Sequence, residues 1–276
     1  MSERGSADEM ARRPIGVFDS GVGGLSVVAE LRRLLPHEDL VYLADTANCP
    51  YGPRPAAEIQ ALSQRATAFL LARGAKLIVV ACNTASAAGL EPLRAHYGPQ
   101  LPVVGLVPAV KPAVALTRSG TVGVLATPGT LRGRLLLDVI AQWATPAGVQ
   151  VITNPGIGLV EAVEAGATDT PATQEVLADA LDPMRAAGAD VLVLGCTHYP
   201  FLRPAIITVA GPDLQIVDSA AGVARQTRRL LEERGWLQPC PTPGLLALYT
   251  SGDPAQTGPI MARLVGEETV TCASWQ

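Results

Sequence analysis

The sequence has 276 residues, a hydrophobic content of 48% and a formal net charge of −4 at pH 7. This composition is typical of a folded globular protein, and so small a negative charge gives no general attraction to nucleic acid or anionic lipid. Residues 1–13 are polar and match neither a signal peptide nor an anchor, and no apolar run approaches the length of a membrane span. Five cysteines without close spacing form no disulfide framework, so we expect reduced thiols and a cytoplasmic location.

The first half of the chain is predicted to alternate strands and helices. In order, these are a strand over 15–18, a turn over 19–24 into a helix near Leu25, a strand over 40–43, a loop over 44–53 too rich in turn formers to be helical, a helix from Pro55 to Gly74 and a strand over 77–80.

The second half opens in the same way. The predicted elements are a strand and polar loop over 121–130, a helix that Gly188 ends, a strand over 191–194, a helix over 223–234 that packs back on the first half, and a late strand over 245–249. Strands alternating with helices at this spacing indicate parallel α/β sheets. Three prolines between Pro102 and Pro112 mark the boundary. We therefore predict a flexible tail over 1–13, a first domain over 14–108 with a returning segment over 217–276, and a second domain over 109–216.

An eleven-residue pattern occurs twice: ARGAKLIVVAC, which ends at Cys82, and AAGADVLVLGC, which ends at Cys196. In each copy a glycine stops a helix and a short apolar run forms a buried strand, so each copy delivers one thiol to a strand end. Ligands of open α/β sheets bind at such carboxyl ends. Two related halves facing each other would place the two thiols on opposite sides of one cleft.

Polar residues accompany both thiols. Ser20 begins a helix N-terminus suited to a carboxylate, and Asn83, Thr84 and Thr197 add neutral donors. Asp19 and His198 are the groups that could tune the thiols.

The sequence offers little support for a cofactor or a metal. The loop over 20–24 lacks both the G-x-G-x-x-G spacing and the lysine of a phosphate-binding loop. Cys82, Cys196 and His198 could form a Cys2His set, but the short two-ligand element usual in zinc sites is missing, so no metal is predicted. Cys49, Cys240 and Cys272 have no repeat partner and are expected to be structural or exposed, although Cys49 lies close to the loop assigned to the site.

Taken together, the segments GVFDSGVGGLSV, ADTANCPYG, VVACNTASAA, GLVPAVKPA, LGCTHYPFLRP, VDSA and SGDP resemble those of the glutamate racemases of the aspartate/glutamate racemase superfamily. The resemblance extends from Ile15 to about Gly266. It implies two similar parallel-sheet α/β domains in a pseudo-two-fold arrangement with the active site in the cleft between them. It also implies a homodimer that interconverts L- and D-glutamate without a cofactor and so supplies D-glutamate for peptidoglycan.

The resemblance also assigns roles to residues. Cys82 and Cys196 are the two acid/base thiols, with Cys82 acting on D-glutamate, Cys196 acting on L-glutamate, and Asp19 and His198 assisting proton transfer. The substrate-binding residues it implies are Asp19, Ser20, Tyr51, Gly52, Asn83, Thr84, Thr130, Thr197 and His198. Spacing leaves both Glu161 and Glu164 eligible as the glutamate of the family's V-E-x-G element.

Other functions stay open at this point. Racemisation of aspartate, or a decarboxylation within the same superfamily, would depend on the size of the pocket. A regulatory protein that contacts a topoisomerase is a non-enzymatic alternative. The presence of both thiols favours an enzyme.

Overall fold

The computed structural model describes residues 8–267 and 270–275. The strands are β1 (Ile15–Asp19), β2 (Leu40–Ala44), β3 (Leu77–Val80), β4 (Val103–Gly105), β5 (Thr121–Ala126), β6 (Gln150–Pro155), β7 (Val191–Gly195), β8 (Gln215–Val217), β9 (Leu246–Thr250) and β10 (Cys272–Ser274). The helices are α1 (Leu25–Leu34), α2 (Ala56–Ala72), α3 (Asn83–Tyr97), α4 (Val110–Leu116), α5 (Pro128–Arg132), α6 (Arg134–Val139), α7 (Leu159–Glu164), α8 (Pro171–Ala186), α9 (Arg203–Ala210), α10 (Ala220–Arg234) and α11 (Pro254–Val265). Short 3₁₀ turns lie at Thr46–Asn48 and Tyr199–Leu202, and a π-helical turn lies at Ile140–Ala144.

The strands form two sheets. Their orders are β10-β9-β2-β1-β3-β4 and β6-β5-β7-β8. Every strand pair in both sheets is parallel. The inner order β2-β1-β3-β4 is repeated as β6-β5-β7-β8, so the internal repeat extends from sequence to topology. The predicted α/β class with two similar parallel sheets is confirmed.

The two thiol-bearing segments fold as their sequences predict. Residues of β3 and β7 are buried throughout, as expected for strands covered by helices on both faces. Gly74 and Gly188 follow α2 and α8 with φ of 81° and 76°, a left-handed conformation that glycine adopts without strain. Each segment therefore runs from a helix end through a glycine turn into a central strand of its sheet.

The two sheets use different parts of the chain, and the division into two domains stays a prediction. The first sheet contains β1 to β4 and the returning strands β9 and β10, and α10 packs against α1 as predicted. Val217 pairs with Val193 in the second sheet, one residue beyond the expected boundary. The loop over 44–53 contains one 3₁₀ turn where no helix was predicted. Within the described ranges, no helix has the length and hydrophobicity needed to cross a membrane.

The structure describes residues 8–13 of the predicted flexible tail. Residues 1–7 lie outside the described residues, whereas residues 8–11 are helical. Ala11 is buried, and its carbonyl accepts a hydrogen bond of 2.7 Å from Lys76 Nζ. The end of the expected tail is therefore packed against the first domain, because the buried ammonium group needs this carbonyl as a partner.

Lys76 is an ion buried at the base of the first sheet. Besides the Ala11 carbonyl, its Nζ donates to Glu38 Oε2 at 2.6 Å and to the Trp236 carbonyl at 2.8 Å. Burial lowers the pKa of Lys76, and the hydrogen bond with Glu38 opposes this effect. The second oxygen of Glu38 accepts from the Gln238 amide at 2.8 Å. Both charges are thus paired and hydrogen-bonded, as burial requires.

We predict that Lys76→Met lowers the free energy of unfolding by about 3–5 kcal/mol, because it leaves the Glu38 carboxylate buried without a counter-ion. Urea denaturation measures this change. Lys76→Met combined with Glu38→Leu should recover part of the loss, since the double variant contains no unpaired charge. Arg33→Met, which removes an exposed ion pair with Glu30, is the control and should leave stability nearly unchanged. Equal effects of Lys76→Met and Arg33→Met would contradict the prediction.

Candidate active site

A narrow cavity lies where the carboxyl ends of β1, β3 and β7 meet, and its volume is about 10 Å³. It is lined by Ser20, Pro50, Tyr51, Gly52, Cys82, Asn83, Thr84, Thr127, Val160, Cys196, Thr197 and His198. This lining includes every site residue predicted from the sequence except Asp19 and Thr130. The two halves of the chain each contribute one thiol to it.

Cys82 lies between β3 and α3 and is buried. Its Sγ caps α3 by accepting from the Ala85 amide at 3.4 Å, and its thiol donates to Ser20 Oγ at 3.7 Å. Burial raises the pKa of Cys82 well above its usual value, and the nearby Asp19 charge raises it further, while the bonds with Ala85 and Ser20 lower it. Burial and the Asp19 charge therefore favour the neutral thiol form of Cys82.

Cys196 follows β7 and has a different neighbour. Its Sγ lies 3.7 Å from Nδ1 of His198, and Nε2 of the same ring lies 2.6 Å from Glu164 Oε1. Burial lowers the pKa of His198, but its hydrogen bonds with Cys196, Cys49 and Glu164 more than offset this, and the pKa lies well above the usual value. Cys196, His198 and Glu164 thus form a connected row of ionisable groups.

The structure distinguishes the two candidate glutamates. Glu164 contacts His198, and its Oε1 also accepts from the Val22 amide at 2.7 Å. Glu161 is exposed on the same helix, α7. The sequence could not separate the two residues because both fit the motif spacing. Glu164 is therefore the one placed to act on the site.

Asp19 lies behind the lining. Its carboxylate is fully buried and accepts from the Ser20 amide at 2.6 Å and the Ser20 hydroxyl at 3.1 Å through Oδ1. Its Oδ2 accepts from Thr197 Oγ1 at 2.8 Å. Burial raises the pKa of Asp19, and the His198 charge opposes this. Asp19 thereby orients two lining hydroxyls that come from opposite halves.

A row of threonine hydroxyls forms another part of the wall. Thr84 Oγ1 lies 2.8 Å from Thr127 Oγ1, which donates to Thr130 Oγ1 at 3.0 Å. Thr130 therefore reaches the cavity through Thr127, which the sequence analysis did not select. Thr127 caps α5 and precedes Pro128, and this Thr-Pro helix start is the signal that could have identified it.

Asn83 is buried, and its Nδ2 has no hydrogen-bond partner among the described residues. An unpaired buried amide is costly, so such a group indicates a missing partner. Asn83 lies at the first turn of α3 beside Cys82 and lines the cavity. An anionic oxygen in the cavity would satisfy this amide.

The lining offers hydroxyl and amide donors and two thiols, and no lysine or arginine is among the described residues that form it. An anion would therefore be held by neutral donors and helix N-termini. Two thiols approaching one cavity from opposite halves can remove a proton from one side of a bound molecule and return one on the other. The arrangement is suited to inverting a carbon centre.

Comparison with known proteins agrees with this chemistry. Residues 15–227 match the model of the Asp/Glu/Hydantoin racemase family. A glutamate racemase from Deinococcus radiodurans is 56% identical over 251 residues, which is 91% of this chain and 86% of that protein. The crystal structure of the Francisella tularensis glutamate racemase in complex with D-glutamate matches with a TM-score of 0.82 and 29% identity, covering 96% of this chain and 98% of that one. The Escherichia coli glutamate racemase, in complex with L-glutamate and the activator UDP-MurNAc-ala, matches with a TM-score of 0.80 and 34% identity, covering 95% and 97%.

The unpaired amide provides a test that needs no activity assay. Asn83→Leu should leave the free energy of unfolding unchanged or raise it by up to about 1 kcal/mol, because it removes a buried donor that has no partner. Ser86→Ala, one turn further along α3, is the matched control. Ser86 Oγ bonds the Val80 carbonyl at 3.2 Å and the Leu106 amide at 2.9 Å, so its loss should cost about 1–3 kcal/mol. Thermal and urea denaturation measure both changes, and a destabilised Asn83→Leu protein would show that this amide has a partner within the protein.

Proposed function

This chain belongs to the Asp/Glu/hydantoin racemase family, and we propose that it interconverts L- and D-glutamate with Cys82 and Cys196 as two acid/base groups. The observation that carries the proposal is the meeting of these two thiols, one from each half of the repeat, at one cavity. The similar proteins named as glutamate racemases, two of them in complex with a glutamate enantiomer, support the choice of substrate.

The reaction requires no group beyond the two thiols for proton transfer. One cysteine, as thiolate, removes the Cα proton and becomes a thiol, leaving a carbanion. The thiol on the opposite face then donates its proton to that carbanion and becomes a thiolate. The product has inverted configuration, and the two cysteines have exchanged protonation states. One thiolate and one thiol are therefore needed at the start of each turnover.

Each thiol has its own set of polar partners. Cys82 is linked through the Ser20 hydroxyl to Asp19, and Cys196 is linked through His198 to Glu164. These partners hold the sulfur atoms in place and can respond to the change of charge in each step. We assign Asp19 and His198 to this assistance, and Glu164 to the positioning of His198.

The substrate carboxylates are bound by neutral groups in this proposal. Asn83 offers its unpaired amide, and Ser20, Thr84 and Thr197 place hydroxyls in the lining. The hydroxyls of Ser20 and Thr197 donate to Asp19 and would exchange these bonds for bonds to the substrate. Tyr51 contributes mainly its ring, because its hydroxyl already donates to Asp45 Oδ2 at 2.6 Å. Gly52 adds backbone to the wall, and Thr130 acts through Thr127.

The wider role follows the family. We propose that the enzyme works without a cofactor, as a homodimer, and supplies D-glutamate for peptidoglycan synthesis. A mechanism based on two free thiols also requires a reducing compartment, which favours the cytoplasm.

The roles of the two thiols can be distinguished with a glutamate analogue that has a leaving group at C3. Elimination from this analogue reports proton abstraction alone, since no proton need return from the other face. We predict that Cys82→Ser and Cys196→Ser both lose racemisation, because a hydroxyl is too weakly acidic to replace a thiol in this role. Cys196→Ser should still eliminate from the D-analogue, and Cys82→Ser from the L-analogue. Absorbance of the elimination product measures both rates.

The outcomes of this experiment discriminate between mechanisms. If both variants lose elimination from both enantiomers equally, the thiols do not act as independent bases and the two-base proposal is overturned. Reversed preferences would preserve two bases and exchange their assignment to the two faces. Exchange of the Cα proton of glutamate, but not of aspartate, with deuterated solvent by the unaltered enzyme tests the substrate.

The role of Glu164 has a matched control on the same helix. Glu164→Gln should lower the rate of elimination from the L-analogue roughly 10- to 100-fold, because a charge-assisted hydrogen bond worth about 1.5–3 kcal/mol to His198 is lost. Elimination from the D-analogue depends on Cys82 and should change much less. Glu161→Gln should change neither rate. An equal fall for both enantiomers in Glu164→Gln would point to a purely structural role for this residue.

A further inference from the structure

A third thiol lies beside the active site, and the two-base mechanism does not use it. Cys49 belongs to the loop between β2 and α2 and is partly buried. Its Sγ, a ring nitrogen of His198 and a carboxylate oxygen of Glu164 all lie within 4.8 Å of one another. The three residues come from separate parts of the chain, so no short spacing in the sequence indicates that they meet.

The donors form a set that suits a zinc ion. Thiolate, imidazole and carboxylate are the three side-chain ligands that zinc takes, at distances of about 2.0–2.3 Å, which places tetrahedral ligand atoms about 3.3–3.8 Å apart. Since the donors already lie within 4.8 Å, shifts of roughly 1 Å would complete the geometry. We propose that Cys49, Glu164 and His198 bind a zinc ion and that this ion inhibits the enzyme. The inhibition rests on the proposed function, whereas the binding does not.

Local packing brings the donors together and leaves them accessible. A Cβ atom at Gly21 would lie 3.0 Å from Cys49 Sγ and would overlap Glu164 Oε1, so the absence of a side chain there makes room for both groups. The Glu164 side chain is 20% exposed, whereas that of His198 is 2% exposed. An ion can therefore approach from the side of Glu164 and Cys49 and reach the buried ring.

Binding at this place would interfere with Cys196. Zinc would displace the thiol proton of Cys49 and replace the hydrogen bond between His198 Nε2 and Glu164 with two metal–ligand bonds. A neutral imidazole bound through Nε2 carries its remaining hydrogen on Nδ1, the atom that faces Cys196 Sγ. His198 could then no longer accept a proton at that atom, so Cys196 would lose the assistance of His198 and proton transfer on the Cys196 side should slow.

The test separates binding from activity. Zinc affinity of the full chain is measured by competition with a chromophoric chelator, and cobalt substitution reports a thiolate ligand through its charge-transfer absorption. We expect one equivalent of zinc for each chain and inhibition of racemisation that a chelator reverses. Cys49→Ala should retain racemisation, weaken zinc binding at least about tenfold and remove the thiolate-to-cobalt band. Cys240→Ala, a partly exposed thiol outside this group, is the control and should behave like the unaltered protein.

Several results would overturn the proposal. One is a chain that binds no zinc, and another is a Cys49→Ala protein that binds zinc as tightly as the unaltered one. A third is loss of binding in Cys82→Ala but not in Cys49→Ala, which would place the ion between the two catalytic thiols. If Cys49→Ala does not fold, Cys49→Ser keeps the volume of the side chain and should show the same loss of the cobalt band. Failure of the proposed racemisation would leave the binding measurements interpretable, so the two proposals can fail separately.

Discussion

A single carboxylate oxygen links the two halves of the candidate active site. Oε1 of Glu164 accepts the Val22 amide from the loop after β1 and contacts His198 from the loop after β7. Two further bonds reach Thr197, which follows β7: its Oγ1 donates to Asp19 at the end of β1, and its carbonyl accepts from Ser26 Oγ in α1. Buried and partly buried polar contacts therefore hold the two sheet edges together. Because each thiol is attached to one of these edges, the same contacts set the distance between the thiols.

The kinds of charged and neutral side chains around the cavity explain how one site can act on both enantiomers. An arginine or lysine beside the thiols would stabilise a thiolate on its own side and make the two directions unequal. Neutral donors such as Asn83 and Thr84, which line the cavity, would bind an anion without this bias. The buried carboxylate of Asp19 and the partly buried carboxylate of Glu164 lie outside the lining, where they contact Ser20, Thr197 and His198. The negative charges of Asp19 and Glu164 thus act on the thiols through Ser20, Thr197 and His198, whose side chains can move or share protons.

Sequence reasoning located the thiols and most of the lining because these features depend on local pattern. Cys82 and Cys196 follow strands that read as buried apolar runs, and parallel strands bring their carboxyl ends to one edge. Features that depend on tertiary packing could not be obtained in this way. Asp19 is not part of the cavity lining, and its carboxylate accepts hydrogen bonds from Ser20 and Thr197. Glu164 and Glu161 lie on the same helix, but Glu164 contacts His198 and Glu161 is exposed. The meeting of Cys49 with His198 depends on the course of an irregular loop, for which the sequence contains no periodic signal.

The buried Lys76 has a consequence for the order in which the protein can be completed. Its partners are Ala11 and Glu38 near the start of the chain and Trp236 near its end, and the first sheet likewise needs β9 and β10. The second sheet uses only residues between Thr121 and Val217. During synthesis on the ribosome, the second sheet can form from one uninterrupted stretch of emerging chain. The first sheet begins earlier but cannot be finished until the segment beyond Trp236 has been made, so the half that is synthesised first is the half that is completed last.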